Sequence, residues 1–508
     1  MLVLVVTGKT LEEDCQVLHA FPGVLGGIEI RVDCMESPET EDWDAFFHQF
    51  PYPAILTIRK KEEGGQWKGT EEERISLFKS LIQKAGFTYI TVECDKNGVS
   101  PLPLEEVALL ARSKGLTVIR SFRDRIVEPA EISSFLHAFS GRRGEIPEVT
   151  VYPEGCRDLK KLLDALEGFE HLMKIILPLG PYGFPLRILA EWFGSCFTFA
   201  TPPHAQTVQG PAEDLIDLET LHTVYRYPQV HAIHQLFGII GNPVLHSRSP
   251  HIHNTGYTAL NIPAVYVPFL VDDLSEFFPL VKKLQIQGLS VTVPFKEAVL
   301  PYCDWYEEAV AAVGACNTLV FDPGTVRGYN TDVEGFLAPL KEQFQKNQSS
   351  FLEGKRALVL GAGGASRAVV YGLAHSGARV VVLNRTVERA ERLARDMEKA
   401  LQLPIGAIET GPLDTEGARK ASVFQPDIIV QTTTRGMHPH ENEDAFPQLS
   451  FRGIETVYDL VYAPRDTYFL KRARGAGCSV IYGDAMLVHQ AFRQFLLFTG
   501  KEYPRQIS

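Results

Sequence analysis

Arg356-Ala-Leu-Val-Leu-Gly-Ala-Gly-Gly-Ala-Ser-Arg-Ala368 decides the fold of the second half of this chain. An apolar run of strand length passes directly into a glycine cluster that opens a helix. Such a turn delivers free backbone N–H groups and a helix N-terminus to a pyrophosphate. The residues that form it are Gly361, Gly363, Gly364 and Ala365. The next apolar run, 379–383, ends in Asn384-Arg-Thr386. It lies roughly 20 residues on, where an NAD-binding fold sets Asp or Glu against the ribose 2′-hydroxyl. No carboxylate stands at Asn384, Arg385 or Thr386, and Arg389 follows one helical turn later. Two guanidinium groups suit a 2′-phosphate, so the expected cofactor is NADP and the expected fold is a Rossmann-like α/β unit. Gly436-Met437, after the strand-like run 427–430, is expected near the same crevice.

At 508 residues the chain is too long for one such unit with its substrate-binding part and implies a further domain. No apolar run approaches the roughly 18 residues needed to span a membrane, and residues 2–6 are strand-length without a signal-peptide profile. A cytoplasmic location is therefore expected. The net charge of −12 argues against nucleic acid or an anionic membrane as a partner and leaves small molecules, with any anionic substrate held by local positive groups. Eight scattered cysteines without metal-ligand spacing suggest reduced thiols and no metal site. Charged stretches at 60–63 and 71–74 read as solvated faces. The oligomeric state is open at this level.

Between the two halves lie the residues that carry proton chemistry. Four segments follow in order: Gly241-Asn-Pro-Val-Leu-His-Ser-Arg-Ser-Pro250, Val291-Thr-Val-Pro-Phe-Lys296, Ala315-Cys-Asn-Thr318 and Asn330-Thr-Asp332. Reduction of a ketone needs a proton donor at the carbonyl oxygen opposite the hydride source. An ammonium sheltered from water and fixed by a carboxylate can serve, as general acid in one direction and general base in the other. Lys296 and Asp332 are that expected catalytic pair. In this order the segments, from about Phe237 onward, resemble shikimate dehydrogenase. The resemblance implies that Ser247 and Ser249 hold a substrate carboxylate. It also implies that Thr292, Asn317, Tyr462 and Gln490 bind hydroxyls or carboxylate, and that Leu460 and Gly483 lie near the nicotinamide. Ser290 departs from the family's usual Asn. A quinate dehydrogenase is the competing reading of this half.

Strand-like runs at 2–6, 27–32, 54–59, 89–93, 117–121, 148–152, 172–177 and 196–200 alternate with helical segments, and 212–225 is expected as a closing helix. Eight such units predict a (β/α)8 barrel. The expected architecture is α/β throughout: a TIM barrel at 1–228, a linker at 229–236, a substrate-binding domain at 237–340, a Rossmann-like NADP domain at 341–480, and a C-terminal helical segment at 481–508 returning to the substrate domain.

The barrel carries Ile28-Glu-Ile-Arg-Val-Asp33, Thr57-Ile-Arg59 with Glu63-Gly-Gly65, Val92-Glu93, Gly183-Phe-Pro-Leu-Arg-Ile188 and Gln206. Alternation along a strand would point Glu29, Arg31 and Asp33 into the barrel together. These motifs resemble type I 3-dehydroquinate dehydratase, the lyase that makes the ketone a shikimate dehydrogenase consumes. The resemblance implies binding roles for Glu29, Arg31, Arg59, Glu93, Arg187 and Gln206. Two departures concern the chemistry itself. The family's fifth strand ends Ser-Tyr-His-Asp, whose His is the general acid and base, and this chain has Ser121-Phe-Arg-Asp124. Arginine stays protonated and cannot abstract a proton. The sixth strand should supply a Schiff-base lysine, and Glu148-Val-Thr-Val-Tyr152 has none. Lys174 is expected in strand seven, close before the loop that carries Arg187. Pro202 stands where the family has a serine, and His204 nearby is expected to be solvated. Arg123 is expected to pair with Glu93. The barrel is thus expected to bind an acid with impaired dehydration; the alternative is a two-activity enzyme with relocated groups, such as Lys174.

Overall fold

A computed structural model describes residues 1–21, 23–124, 128–203, 215–227, 234–344 and 351–504. The chain divides into two compact units, Met1–Ile286 and Gln287–Ser508.

In the first unit, β1 (Leu2–Val6), β2 (Gly27–Arg31), β3 (Ala54–Thr57), β4 (Phe87–Glu93), β5 (Thr117–Arg123), β6 (Glu145–Val151), β7 (Ile175–Pro178), β8 (Thr198–Thr201) and the short β9 (Ile216–Asp217) form one sheet. Its order is β7-β6-β5-β4-β3-β2-β1-β8-β9, every paired neighbour parallel. A parallel bridge between Lys174 and Ser195 brings the β7 and β8 edges together. This is the (β/α)8 barrel. Inward positions such as Val3, Val5, Ile55, Ile119, Ile146 and Ile175 fill it as one apolar cluster, as period-two alternation requires.

Strand boundaries differ from expectation where local chemistry intervenes. β6 begins three residues early and runs through Pro147, which lacks an N–H and costs the ladder one bond. Glu145 anchors that end through Arg120, 2.9 Å away. The closing helix is only Leu218–Thr223, started by Asp217, whose carboxylate accepts from Thr220 N at 2.8 Å. Its expected first residues lie outside the described range.

The same unit contains β10 (Gln235–Gly241) and β11 (Ala264–Leu270), a parallel pair, with helices Ser249–Ala259 and Leu274–Lys283. Helix Leu274–Lys283 packs on the barrel helix Cys156–Ala165. The N-terminus of that barrel helix has no side-chain cap of its own. Cys156 N instead donates to Asp272 Oδ1 at 3.0 Å, and a Cβ on Gly155 would collide with the same carboxylate. At the far end Lys283 reaches both Asp164 and Glu167.

The second unit holds β12 (Ile286–Val291, whose first residue belongs to the other unit), β13 (Trp305–Tyr306), β14 (Thr318–Asp322) and β15 (Thr325–Tyr329). They are ordered β12-β14-β15-β13. It also holds a six-stranded parallel sheet of β16 (Arg356–Leu360), β17 (Arg379–Asn384), β18 (Ile408–Pro412), β19 (Ile428–Gln431), β20 (Thr456–Asp459) and β21 (Ser479–Ile481). The order β18-β17-β16-β19-β20-β21 is the doubly wound arrangement, with its switch point between β16 and β19. Helices Thr331–Phe344 and Gly483–Thr499 pack along each other. Among the described residues no helix is long and apolar enough to cross a membrane, and no group of three metal-ligating side chains converges.

Candidate active sites

Lys296 lies in the turn after β12, and Cys316 N and Val291 N stitch that turn to the start of β14 through Lys296 O and Asn317 O, each at 2.7 Å. Lys296 Nζ donates to Asp332 Oδ2 at 2.6 Å, and Asn317 Nδ2 donates to Asp332 Oδ1 at 2.9 Å. Both carboxylate oxygens are thereby engaged. Asp332 sits in the first turn of helix Thr331–Phe344, where a negative charge is favoured. Asn317 is fixed in turn, its Oδ1 accepting from Thr331 N at 2.8 Å and from Thr318 Oγ1 at 2.9 Å. Gln490 Oε1 closes the network at 3.5 Å from Asn317 Nδ2. The Lys296 side chain is 32% exposed against 16% for Asp332, so the ammonium remains reachable while its counter-charge is held inside. Thr292 is half-buried in the same turn, and Tyr462 is half-exposed after β20, outside the hydrogen-bonded network. In the first unit, Ser249 N donates to Ser247 Oγ at 3.2 Å; Ser249 is buried at the start of helix Ser249–Ala259 and Ser247 is half-buried.

Gly361, ending β16, has φ +111°, and a Cβ there would sit 2.6 Å from Thr432 Oγ1. Gly363 and Gly364 face open space where side chains would otherwise stand, at the N-terminus of helix Gly364–His375. The first N–H groups of a helix have no partner within it, so this edge is suited to an anion; Ala365 is exposed beside it. At the end of β17, Asn384 Nδ2 donates to Thr386 O at 2.8 Å and fixes the turn. Arg385 and Arg389 are exposed there and pair with no carboxylate among the described residues. Gly483 approaches Leu460 so closely that a Cβ would lie 2.5 Å from its carbonyl oxygen.

In the barrel, Glu29, Arg31, Arg59, Arg123 and Glu148 line one cavity. Asp33 does not join Glu29 and Arg31 as alternation suggested. β2 ends at Arg31, and the tight turn Val32–Cys34 swings Asp33 round to bond Arg31 Nε and Nη2 at 2.9 and 2.7 Å. Glu148 accepts from Ser121 Oγ at 2.6 Å and lies 3.9 Å from Arg59. Burial and the like charge of Arg59 pull the Arg123 guanidinium below its usual value. The expected Arg123–Glu93 pair is not formed: Glu93 is taken by the fully buried Arg74, 2.9 Å away, which also donates to Ile58 O. Arg187 lies on helix Gly180–Ile188 rather than in a loop, buried over the Phe184 ring and outside the residues that line the cavity.

Lys174 immediately precedes β7 instead of lying within it, because the regular strand starts only at Ile175. It is fully buried, its Nζ donates to Phe169 O at 2.8 Å, and burial pulls its pKa below the lysine norm. A lowered pKa suits a Schiff-base lysine, yet the geometry opposes it. Ile175 joins the interior cluster and Leu177 and Leu179 line the cavity, so alternation turns Lys174 to the other face, before the strand begins. His204 and Gln206 lie outside the described residues, and Pro202 is half-buried.

Residues 2–232 match the family described as type I 3-dehydroquinase, 239–319 the shikimate dehydrogenase substrate binding domain, and 343–410 shikimate/quinate 5-dehydrogenase. The bifunctional 3-dehydroquinate dehydratase/shikimate dehydrogenase of Arabidopsis thaliana, described as chloroplastic, is 31% identical over 94% of this chain and 78% of its own length. The chain belongs to this bifunctional family. NADP(+) shikimate dehydrogenases of Moorella thermoacetica and Carboxydothermus hydrogenoformans are 42% and 37% identical over 54% of the chain and 92% and 94% of their own. A solved dehydroquinate dehydratase and shikimate dehydrogenase from S. pombe is 22% identical, covering 99% of this chain and 96% of that one, with a TM-score of 0.47.

Within the bifunctional family frame, two partners escaped the sequence reading. Gln494 takes a hydrogen bond from Ser290 Oγ at 2.8 Å and gives one to Thr318 Oγ1 at 2.9 Å, so the small Ser290 has a defined partner on the C-terminal helix. Its signal was a polar residue four after Gln490, on the same helix face. Thr432 bonds Ser366 Oγ at 2.6 Å across the switch point; the polar run Thr432-Thr-Thr434 after an apolar strand was the available clue.

Proposed function

We propose that the dehydrogenase half reduces 3-dehydroshikimate to shikimate with NADPH, in aromatic amino acid (chorismate) biosynthesis, and that the barrel binds a related cyclic acid without efficient dehydration. The observation that carries the first part is the 2.6 Å Lys296–Asp332 contact inside the Asn317 network. Lys296 delivers a proton to the carbonyl oxygen as negative charge grows there, while Asp332 and Asn317 keep its ammonium aimed. In the reverse direction the lysine takes the hydroxyl proton. Ser247 and Ser249 hold the substrate carboxylate through their hydroxyls, and Thr292, Asn317, Tyr462 and Gln490 meet its hydroxyls or carboxylate.

NADPH, when bound, supplies the hydride. The open edge at Gly361, Gly363, Gly364 and Ala365 fits its pyrophosphate. Arg385 and Arg389, which pair with no carboxylate among the described residues, fit its 2′-phosphate together with Asn384 and Thr386. Leu460 and Gly483 would hold its nicotinamide end. The division at 228, 236, 340 and 480 is retained as the functional one, and the eight free cysteines support a reducing compartment, which we take to be the cytoplasm.

In the barrel, Glu29, Arg31 and Arg59, which line the cavity, form the binding frame; Glu93 is held by Arg74, Arg187 stands outside the lining, and Gln206, which the resemblance adds, lies outside the described residues. Arg123 in the cavity and Lys174 turned away from it support impairment: a guanidinium cannot take a proton, and Lys174 presents no amine to a bound ketone for a Schiff base. Full-length protein assayed with 3-dehydroshikimate and NADPH tests the reading. Lys296→Ala should lower kcat by about 10² or more with a smaller change in KM. Near wild-type turnover would refute it, and a higher kcat/KM for quinate than for shikimate would favour the quinate reading.

A further inference from the structure

Two thiols converge beside the dehydrogenase centre. Cys303 follows the short turn Leu300–Tyr302, and Cys316 immediately precedes Asn317. Both sulfurs lie over Gly328 in β15: a Cβ there would stand 2.9 Å from Cys303 Sγ and 3.1 Å from Cys316 Sγ. The missing side chain is what admits the pair. Cys303 Sγ donates to Val299 O at 3.6 Å and Cys316 Sγ to Thr318 O at 3.1 Å, which leaves the two sulfurs side by side over Gly328. The neighbouring Cys316 thiol draws Cys303 below the ordinary thiol value, whereas Cys303 and burial push Cys316 upward. Cys303 is partly exposed and followed by the exposed Asp304, Trp305 and Tyr306, while Cys316 is fully buried. An accessible thiol of lowered pKa with a second thiol in reach is the arrangement of a reactive and a resolving cysteine.

We propose that Cys303 and Cys316 are a reversible oxidation site that forms a disulfide and thereby switches the dehydrogenase off. With a hydroperoxide as oxidant, the Cys303 thiolate attacks the O–O bond and becomes a sulfenic acid. The leaving hydroxide takes a proton to form water. Cys316 sulfur then displaces the sulfenic hydroxyl, and its thiol proton leaves with that hydroxyl as a second water. The S–S bond forms as the two sulfurs together give two electrons to the peroxide. The consequence for activity rests on the function proposed above. Cys316 N is bonded to Lys296 O, and its chain neighbour Asn317 holds Asp332, so a pull on Cys316 displaces both members of the proton-donating pair.

Full-length protein should be treated with hydrogen peroxide, digested without reductant and mapped by mass spectrometry, with dehydrogenase turnover followed in parallel. The expected result is a Cys303–Cys316 linked peptide and a loss of turnover of about 10²-fold, the scale of an ångström-sized misplacement, restored by dithiothreitol. Cys303→Ser should keep basal activity and resist the oxidant. Absence of the linked peptide, an undiminished rate once it has formed, or equal inactivation of Cys303→Ser would each overturn the proposal. A linked peptide in a protein without dehydrogenase activity even when reduced would overturn the switch together with the proposed function, and leave the oxidation site itself standing.

Discussion

Replacing Arg385 with Ala should weaken NADP and leave NAD nearly untouched. The guanidinium springs from a turn already tied down by Asn384 Nδ2 on Thr386 O, 2.8 Å away, so little ordering is needed when a phosphate arrives. No carboxylate among the described residues competes for it. A charge-assisted hydrogen bond contributes roughly 1.5–3 kcal/mol, and exposure to water and salt places this one near the lower end. A loss of about 1.5–2 kcal/mol corresponds to roughly 10- to 30-fold in affinity. Arg389, one turn on and equally exposed, should add a smaller increment, because neighbours sharing one phosphate are not additive. The assay is the KM of each cofactor at saturating shikimate, repeated at two salt concentrations. The ratio of variant to wild type for NADP should shrink at high salt. Equal weakening of both cofactors, or an NADP constant that does not move, would refute the reasoning.

The barrel should give no borohydride-trapped adduct with 3-dehydroquinate in the full-length protein; a mass increase on the Lys174 peptide, with dehydration lost in Lys174→Ala, would restore a two-activity enzyme. Asp14 is buried, with one carboxylate oxygen accepting from Gly8 N at 2.7 Å, and burial raises its pKa to about 7. Its folded-state pKa exceeds the unfolded one, so its protonated form contributes stability below about pH 4 that is lost as pH rises through about 7, on the order of 4 kcal/mol in all. Asp14→Asn should flatten that part of the denaturation-against-pH curve, and superimposable curves would sink the assignment. Asp272→Ala removes the acceptor at Cys156 N and should cost roughly 1–2 kcal/mol in urea unfolding, with no change expected in the immediate surroundings of Lys296; an unchanged midpoint would show that the cap contributes nothing.

What was legible in the sequence is what is local. Strand positions followed from apolar runs: β1 coincides with its expected span, and the glycine turn at Gly361 declared both its strand and its helix. Lys296 and Asp332 were recognisable from short motifs. The misses are non-local or conformational. Period-two alternation holds only while the backbone stays extended, so Asp33 was misplaced as soon as β2 gave way to a turn. Glu93 was assigned the wrong partner because its true one, Arg74, comes from helix Glu71–Leu81, whose charged start read as a solvated face. Gly180-Pro-Tyr-Gly-Phe-Pro185 carries turn residues throughout, yet folds as a helix: Pro181 stands in its first turn, where no intrahelical N–H bond is lost, and only Pro185, inside the helix, forgoes one.

The borrowed cap on helix Cys156–Ala165 bears on how this polypeptide can be dissected. The helix takes its N-terminal acceptor from Asp272, 116 residues downstream, and the salt bridges of Lys283 hold its other end. A barrel expressed alone would leave Cys156 N without its acceptor, and a dehydrogenase expressed alone would bare the face of helix Leu274–Lys283 that packs on the barrel. Mixing the two fragments should therefore recover stability that neither has by itself. The seam makes no demand on the cavity, so helix Leu274–Lys283 keeps its support on the barrel whatever the cavity does with a ligand.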